Sequence, residues 1–372
     1  MRGSVSHTAP PRPRAAAPSG RRGSARGRLL LMILGGVCLV SGLNAGLIRL
    51  EVWAPVTSDR AGDVHGLVMV LGFLGTLISL ERAQSLGRAW GYLAPALYGA
   101  GGLALLSPAP LLLGQLLLIE AGVLFVAIYL ALWRRAPWPL VAIQVLSAVL
   151  ALGGAVVAAL VDVTVALPWL AGFVVLTIAA ERAELAQLAM GPRADSELLG
   201  LAGALTLAIL AALTLPAIGP RLVGVALLAI AAWLLAHDVV RRQLRLSGQH
   251  RYLAVALLAG YLNLALAGAV LTWSGLSTGR ASYDVVVHGV FLGFALSMVM
   301  AHVPVILPAV LGRALPYRPV LWLPLGLLHV GLVLRFAGAL GGWDVAWQVG
   351  GVVTVLALLV FMATAITLVV RR

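Results

Sequence analysis

Apolar runs of about twenty residues, parted by short polar connections, recur along this chain from residue 29 to its end. In hydrocarbon such a run must close its own backbone hydrogen bonds, so each predicts a helix that crosses a bilayer. The runs fall at 29-50, 62-80, 91-107, 110-132, 138-160, 168-190, 198-216, 221-239, 252-273, 283-311, 320-338 and 346-370, the third and seventh being short. Composition agrees: with 61% hydrophobic and 10% charged residues and a mean hydropathy of +1.03, the chain does not read as a soluble protein. The expected fold class is an all-α, polytopic integral membrane helix bundle of about 12 transmembrane helices, with 29-372 as one transmembrane domain. Residues 1-28, rich in Pro, Ala, Gly, Ser and Arg, have too little apolar surface for a core and predict a disordered basic cytoplasmic tail. No A-x-A-like site follows the first run, whose length suits a retained anchor rather than a cleaved signal.

The chain has 26 basic residues, all of them arginine. With the N-terminus in the cytoplasm, 21 of these lie in the tail, the inner loops and the C-terminus, among them Arg82, Arg88, Arg182, Arg241 and Arg242. Five fall outside: Arg49, Arg60, Arg221, Arg280 and Arg335. That asymmetry predicts a multi-pass protein of a bacterial inner (plasma) membrane with both termini cytoplasmic. It also accounts for the net charge of +13 through arginines at helix ends facing anionic membrane lipid, with no nucleic-acid partner.

The single cysteine, Cys38, lies inside the first run, so a disulfide framework, a cysteine-rich zinc site and a C-x-x-C-H haem attachment are all excluded. Any metal must be held by histidine or oxygen. Of seven histidines, His7 falls in the tail, and His237 and His250 lie near the inner end of the eighth run beside many arginines, as interface residues do. The other four are His65, His288, His302 and His329.

Two of these sit in settings that echo each other: Val64-His65-Gly66 running on to Gly72-Phe73, and Val287-His288-Gly289 running on to Gly293-Phe294. Both begin a run that enters from outside, which puts the two imidazoles at similar depth. An ionisable ring there is costly unless something holds it. Two neutral imidazoles at one level can bind opposite faces of one haem iron while their second ring nitrogens donate to a carbonyl or carboxylate, for which Asp63 and Asp284 are candidates. Gly66, Gly289 and Gly293 would leave room for a flat macrocycle, or would serve ordinary helix packing.

With His65-Gly66-Leu67-Val68-Met69 near the outer end of the second run, a histidine on the tenth and twelve runs in all, the chain resembles NnrS-type membrane haem proteins linked to nitric oxide metabolism. It is more distantly similar to the catalytic subunit of haem-copper oxidases. The resemblance implies a haem-copper-oxidase-like arrangement of helices and a haem b held by His65 and His288, with Gly66, Met69 and Gly289 around it. It further implies a small gaseous ligand or a redox partner. The likeness breaks where the oxidases bind copper, because the sixth and seventh runs contain no histidine, so no copper centre of that type is expected.

His302 lies fourteen residues after His288, some ~21 Å deeper on the same helix, and cannot reach the same iron. With His329 it could form a second metal or haem site, or each ring could simply hydrogen-bond within the bundle. Ile78-Ser79-Leu80-Glu81-Arg82-Ala83 and Ile178-Ala179-Ala180-Glu181-Arg182-Ala183 form another echo. Their Glu-Arg neighbours should bond across to other helices; with an inner haem, Arg82 and Arg182 would face its propionates. Glu120, mid-run, could join Gln144 and Asn263 in a polar seam, which supports a rival reading as a proton-coupled small-molecule transporter. A scaffold subunit is a third reading.

Overall fold

The computed structural model describes residues 25–186, 190–191, 193–276, 279–312 and 315–370. The expected tail before Ala25, with His7, lies outside the described residues, as do Arg313, Arg371 and Arg372. Helices follow one another as α1 (Ala25–Arg49), α2 (Ala61–Leu86), α3 (Leu93–Leu106), α4 (Leu111–Arg135), α5 (Pro139–Leu160) and α6 (Val163–Leu185). Then come α7 (Ala194–Thr214), α8 (Gly219–His237), α9 (Gly248–Ser274), α10 in three consecutive pieces (Arg280–His288, Gly289–Leu296 and Ser297–Leu311), α11 (Trp322–Gly341) and α12 (Asp344–Val370). No strand occurs among the described residues. The chain is an all-α, multi-pass membrane helix bundle.

Eleven of these helices are long and apolar enough to cross a membrane. The exception is α3, whose 14 residues reach only ~21 Å. A 3₁₀ turn at Ala89–Tyr92 leads into it and adds about 8 Å, so the third expected span is a short helix with a tighter lead-in. The seventh is not short: α7 begins at Ala194, ahead of the expected 198, because Asp195 and Glu197 occupy its first turn, where carboxylates suit the helix dipole. Helix α1 likewise starts at Ala25, so Arg26 and Arg28 belong to its first turns.

Local chemistry sets the ends. Asp162 caps α6, its Oδ1 accepting from the Thr164 N–H at 2.6 Å, and this contact with Thr164 holds the carboxyl below its usual range. Gly87 and Gly342 stop α2 and α11 at φ of 69° and 70°, a left-handed conformation that side chains with a Cβ resist.

The three most buried spans are α2, α6 and α10, the second, sixth and tenth helices. They are apolar all round, as a helix surrounded by other helices must be. The outer helices instead carry exposed stripes such as Leu112, Leu116 and Val123 on α4, while Trp53, Trp138, Trp273 and Trp343 are exposed near helix ends, where an aromatic belt would lie. Close approach supplies much of the packing, as expected where lipid tails are as apolar as the side chains. A Cβ on Gly102 would stand 2.9 Å from the Gly72 Cα and 3.0 Å from Cys38 Sγ, so α3 rests directly on α2. Gly102→Val is therefore expected to cost roughly 1–3 kcal/mol by overpacking, read as earlier thermal unfolding in detergent.

Candidate cofactor site

A cavity of about 800 Å³ opens at the end of the bundle where α2, α6 and α10 begin. Its walls come from α1, α2, α6, α10, α11 and α12, and both His65 and His288 line it. His65 is fixed by α1: its Nδ1 lies 2.8 Å from the Gly42 carbonyl, and the ring packs so closely on Gly46 that a Cβ there would stand 3.1 Å from Cε1. His288 is fixed by its own helix, with Nδ1 at 3.0 Å from the Asp284 carbonyl and 3.2 Å from the Asp284 carboxylate. Arg335 of α11 donates to that carboxylate through Nε and Nη2, at 2.8 and 2.7 Å. Such a bidentate pair holds the carboxylate in place.

These contacts decide the tautomers. The Gly42 carbonyl can only accept, as can both Asp284 oxygens, so each Nδ1 carries the hydrogen and each Nε2 keeps its lone pair. No described residue hydrogen-bonds either Nε2. A histidine whose one ring nitrogen donates to a carbonyl or carboxylate while the other is free has the arrangement of a metal ligand with its outer support.

The two echoing stretches share a backbone feature. Val68–Gly75 begins three residues after His65, and Gly289–Leu296 begins immediately after His288; both are eight-residue π-helices, and both contain Leu-Gly-Phe. Such segments collect at functional sites because the widened turn re-aims side chains. Nothing in the residue pattern announced them.

Several expected roles are corrected. Gly66 lines the cavity, and a Cβ there would meet only Val163 Cγ1, at 3.7 Å. Gly289 instead faces α9, where a Cβ would come within 3.0 Å of Ala267 Cβ and 3.2 Å of the Asn263 carbonyl. It serves helix packing, as does Gly293 against Asn263. Met69 lines the cavity but also fills the notch at Gly42 of α1. Asp63 is exposed at the mouth, and the Gly42 carbonyl takes the place expected for it beside His65.

His302 and His329 are each engaged separately. His302 Nδ1 meets the Met298 carbonyl at 2.8 Å, and its Nε2 accepts from Arg182 Nη1 at 3.3 Å. His329 lies 3.1 Å from Ser297 Oγ through Nε2 and 3.5 Å from Asn263 Nδ2 through Nδ1. Neither lines the cavity, and no group of three or more His, Cys, Asp or Glu among the described residues could hold a metal ion. The backbone carbonyl that Pro304 frees one turn back, that of Met300, receives the Tyr252 hydroxyl at 3.4 Å rather than a ligand.

The arginines of the second echo are also occupied. Arg82 bonds its own neighbour Glu81 at 2.7 Å as well as Glu181 of α6 at 3.1 Å, so the expected bond across to another helix is accompanied by one within the pair. Arg182 is held by Asp238, whose carboxylate also accepts from the Tyr261 hydroxyl at 2.5 Å. Glu120 is exposed on α4, between the exposed Leu116 and Val123, and forms no seam with Gln144, whose Nε2 is buried without a partner.

Comparison with known families returns a match over residues 28–370 to a family described as "Domain of unknown function (DUF8744)". The chain belongs to this family. The matched region contains every helix from α2 to α12 and so both cavity histidines. No curated protein matches the chain.

Proposed function

We propose that the protein is a membrane haem protein in which His65 and His288 bind one haem b iron through their Nε2 atoms. One observation carries this reading: two imidazoles on different helices line a single cavity, each with Nδ1 committed and Nε2 free. Two protein ligands suffice for a metal only when it brings other ligands of its own, as a haem iron does with its four ring nitrogens. The cavity fits: about 800 Å³ lies in the cofactor range of roughly 300–1,000 Å³, and Leu43, Val70, Leu74 and Leu170 give it apolar walls. The group would supply one-electron chemistry, and with both histidines committed to holding it, electron transfer to a redox partner would be favoured over direct binding of a gas such as nitric oxide. The resemblance to NnrS-type proteins supports the haem itself and leaves a small gaseous ligand or a redox partner open. The arginine distribution orients the cavity toward the outside of a bacterial inner membrane, with both termini cytoplasmic.

The test is an oxidised and dithionite-reduced absorption spectrum of detergent-purified protein produced with ample haem. A Soret band with sharp reduced α and β bands is expected; a featureless spectrum with an empty metal analysis overturns the proposal. Asp284 supports His288 electronically as well as sterically. Asp284→Asn is accordingly expected to weaken haem retention about 10–100-fold and to raise the midpoint potential, since a negative charge beside the ligand is lost. A redox titration measures both.

A further inference from the structure

The cavity wall carries a second group of polar side chains that binding iron does not use. Trp347 of α12 lines the cavity, and its indole Nε1 is buried with no hydrogen-bond partner. A buried donor left unmade is costly, so it marks a place where an acceptor belongs. Two guanidinium groups flank the same indole: Arg335, its carbon 5.6 Å from the ring centroid, and Arg280, at 5.0 Å. Both also line the cavity. Arg335 is buried and Arg280 half-exposed, so the three form a ladder of donors climbing from the interior toward water.

Neither arginine is used up. Arg335 gives Asp284 its Nε and Nη2, and Arg280 gives Asp344 one nitrogen at 2.7 Å, whereas a guanidinium has five N–H donors. The ladder joins the histidine site as well, because the carboxylate paired with Arg335 is the one beside His288. Arginines in this setting recognise planar acids. Of the exposed carboxylates that line the cavity, Asp344 is already paired with Arg280, while Glu51, Asp63 and Asp162 would repel an anion elsewhere on the rim, which makes the stretch of the mouth beside the ladder the favourable one for acid groups.

We propose that Arg280, Trp347 and Arg335 form an acid-recognition site that receives the carboxylate arms of the cavity's ligand, selecting a porphyrin diacid over its neutral ester and turning its acidic edge toward the mouth. This rests on the haem reading and adds which edge of the macrocycle is held, and by what.

The experiment titrates haem-depleted full-length protein in detergent with iron protoporphyrin IX and, separately, with its dimethyl ester, following the Soret band. Arg280→Gln and Trp347→Phe are tested alongside; Arg335 is left intact because its removal would strand the buried Asp284. The wild type is expected to bind the diacid about tenfold or more tightly than the diester. In each variant that preference should shrink severalfold, through loss of diacid affinity with diester affinity unchanged. Equal binding of the two porphyrins by the wild type, or an undiminished preference in both variants, overturns the acid-recognition site while leaving the haem reading standing. Absence of a Soret shift with either porphyrin overturns both.

Discussion

If His65 and His288 hold a haem as proposed, alanine at His288, or at His65, is expected to leave the protein folded but without haem. The fold should survive because neither ring is a structural keystone. Removing His288 takes one of three contacts from the Asp284 carboxylate, which keeps both bonds from Arg335. Removing His65 takes only a second hydrogen bond from the Gly42 carbonyl, which lies within helix α1, beside a cavity that water can enter. Binding should not survive, because a haem held from one side loses both a coordinate bond and its lock on orientation. The measurement is the haem-to-protein ratio of monodisperse protein after size exclusion. His302→Ala is the control: its ring is bonded to Met298 and Arg182 and does not line the cavity, so haem content should stay at the wild-type level. Added free imidazole should restore part of the low-spin spectrum to the alanine variants by entering the space left behind. A normal six-coordinate spectrum in both variants would sink the assignment.

The helices could be read from the chain because a bilayer leaves few options for an apolar run, and the two histidines because their surroundings repeat. What failed were the inferences about which way Glu120 and Gly289 face. Glu120 reads as interior because α4 is apolar all round, and hydropathy does not separate a lipid-facing stripe from a helix-facing one. Gly289 reads as space for a ligand, yet a glycine that admits a macrocycle and one that admits a neighbouring helix look alike in sequence; Ala267 and Asn263 decide between them. Asp284 was visible as a support for His288 because it lies four residues earlier, one turn away on the same face. Gly42, Arg335 and Trp347 were not. The first acts through a backbone carbonyl, which has no residue signature, and the other two arrive from helices distant in sequence whose approach only the assembled bundle defines.

The largest loss of stability is expected at the opposite end of the bundle from the cavity, on replacing Asp238 by alanine. Asp238 follows α8, and its side chain is fully buried. It accepts three hydrogen bonds from Arg182 of α6 at 2.9–3.0 Å, one from Tyr261 of α9 at 2.5 Å, and one from the Val240 N–H at 3.2 Å. Arg182 extends the network to His302 of α10. One carboxylate thus ties together α6, α8, α9 and α10, two of which are central helices that line the cavity. Removing one partner of a buried pair strands the other charge, at a cost of about 3–5 kcal/mol. Tyr261→Phe deletes one hydrogen bond to a charged acceptor and should cost about 1.5–3 kcal/mol. The paired replacement Arg182→Met with Asp238→Leu removes both charges together, and should recover much of what either single change loses. Thermal unfolding in detergent gives the ranking. If the network is a structural lock, all of these variants hold wild-type haem below their unfolding temperatures. Loss of haem from folded Tyr261→Phe protein would instead mean that the lock also sets the spacing of α2 and α10 at the cavity.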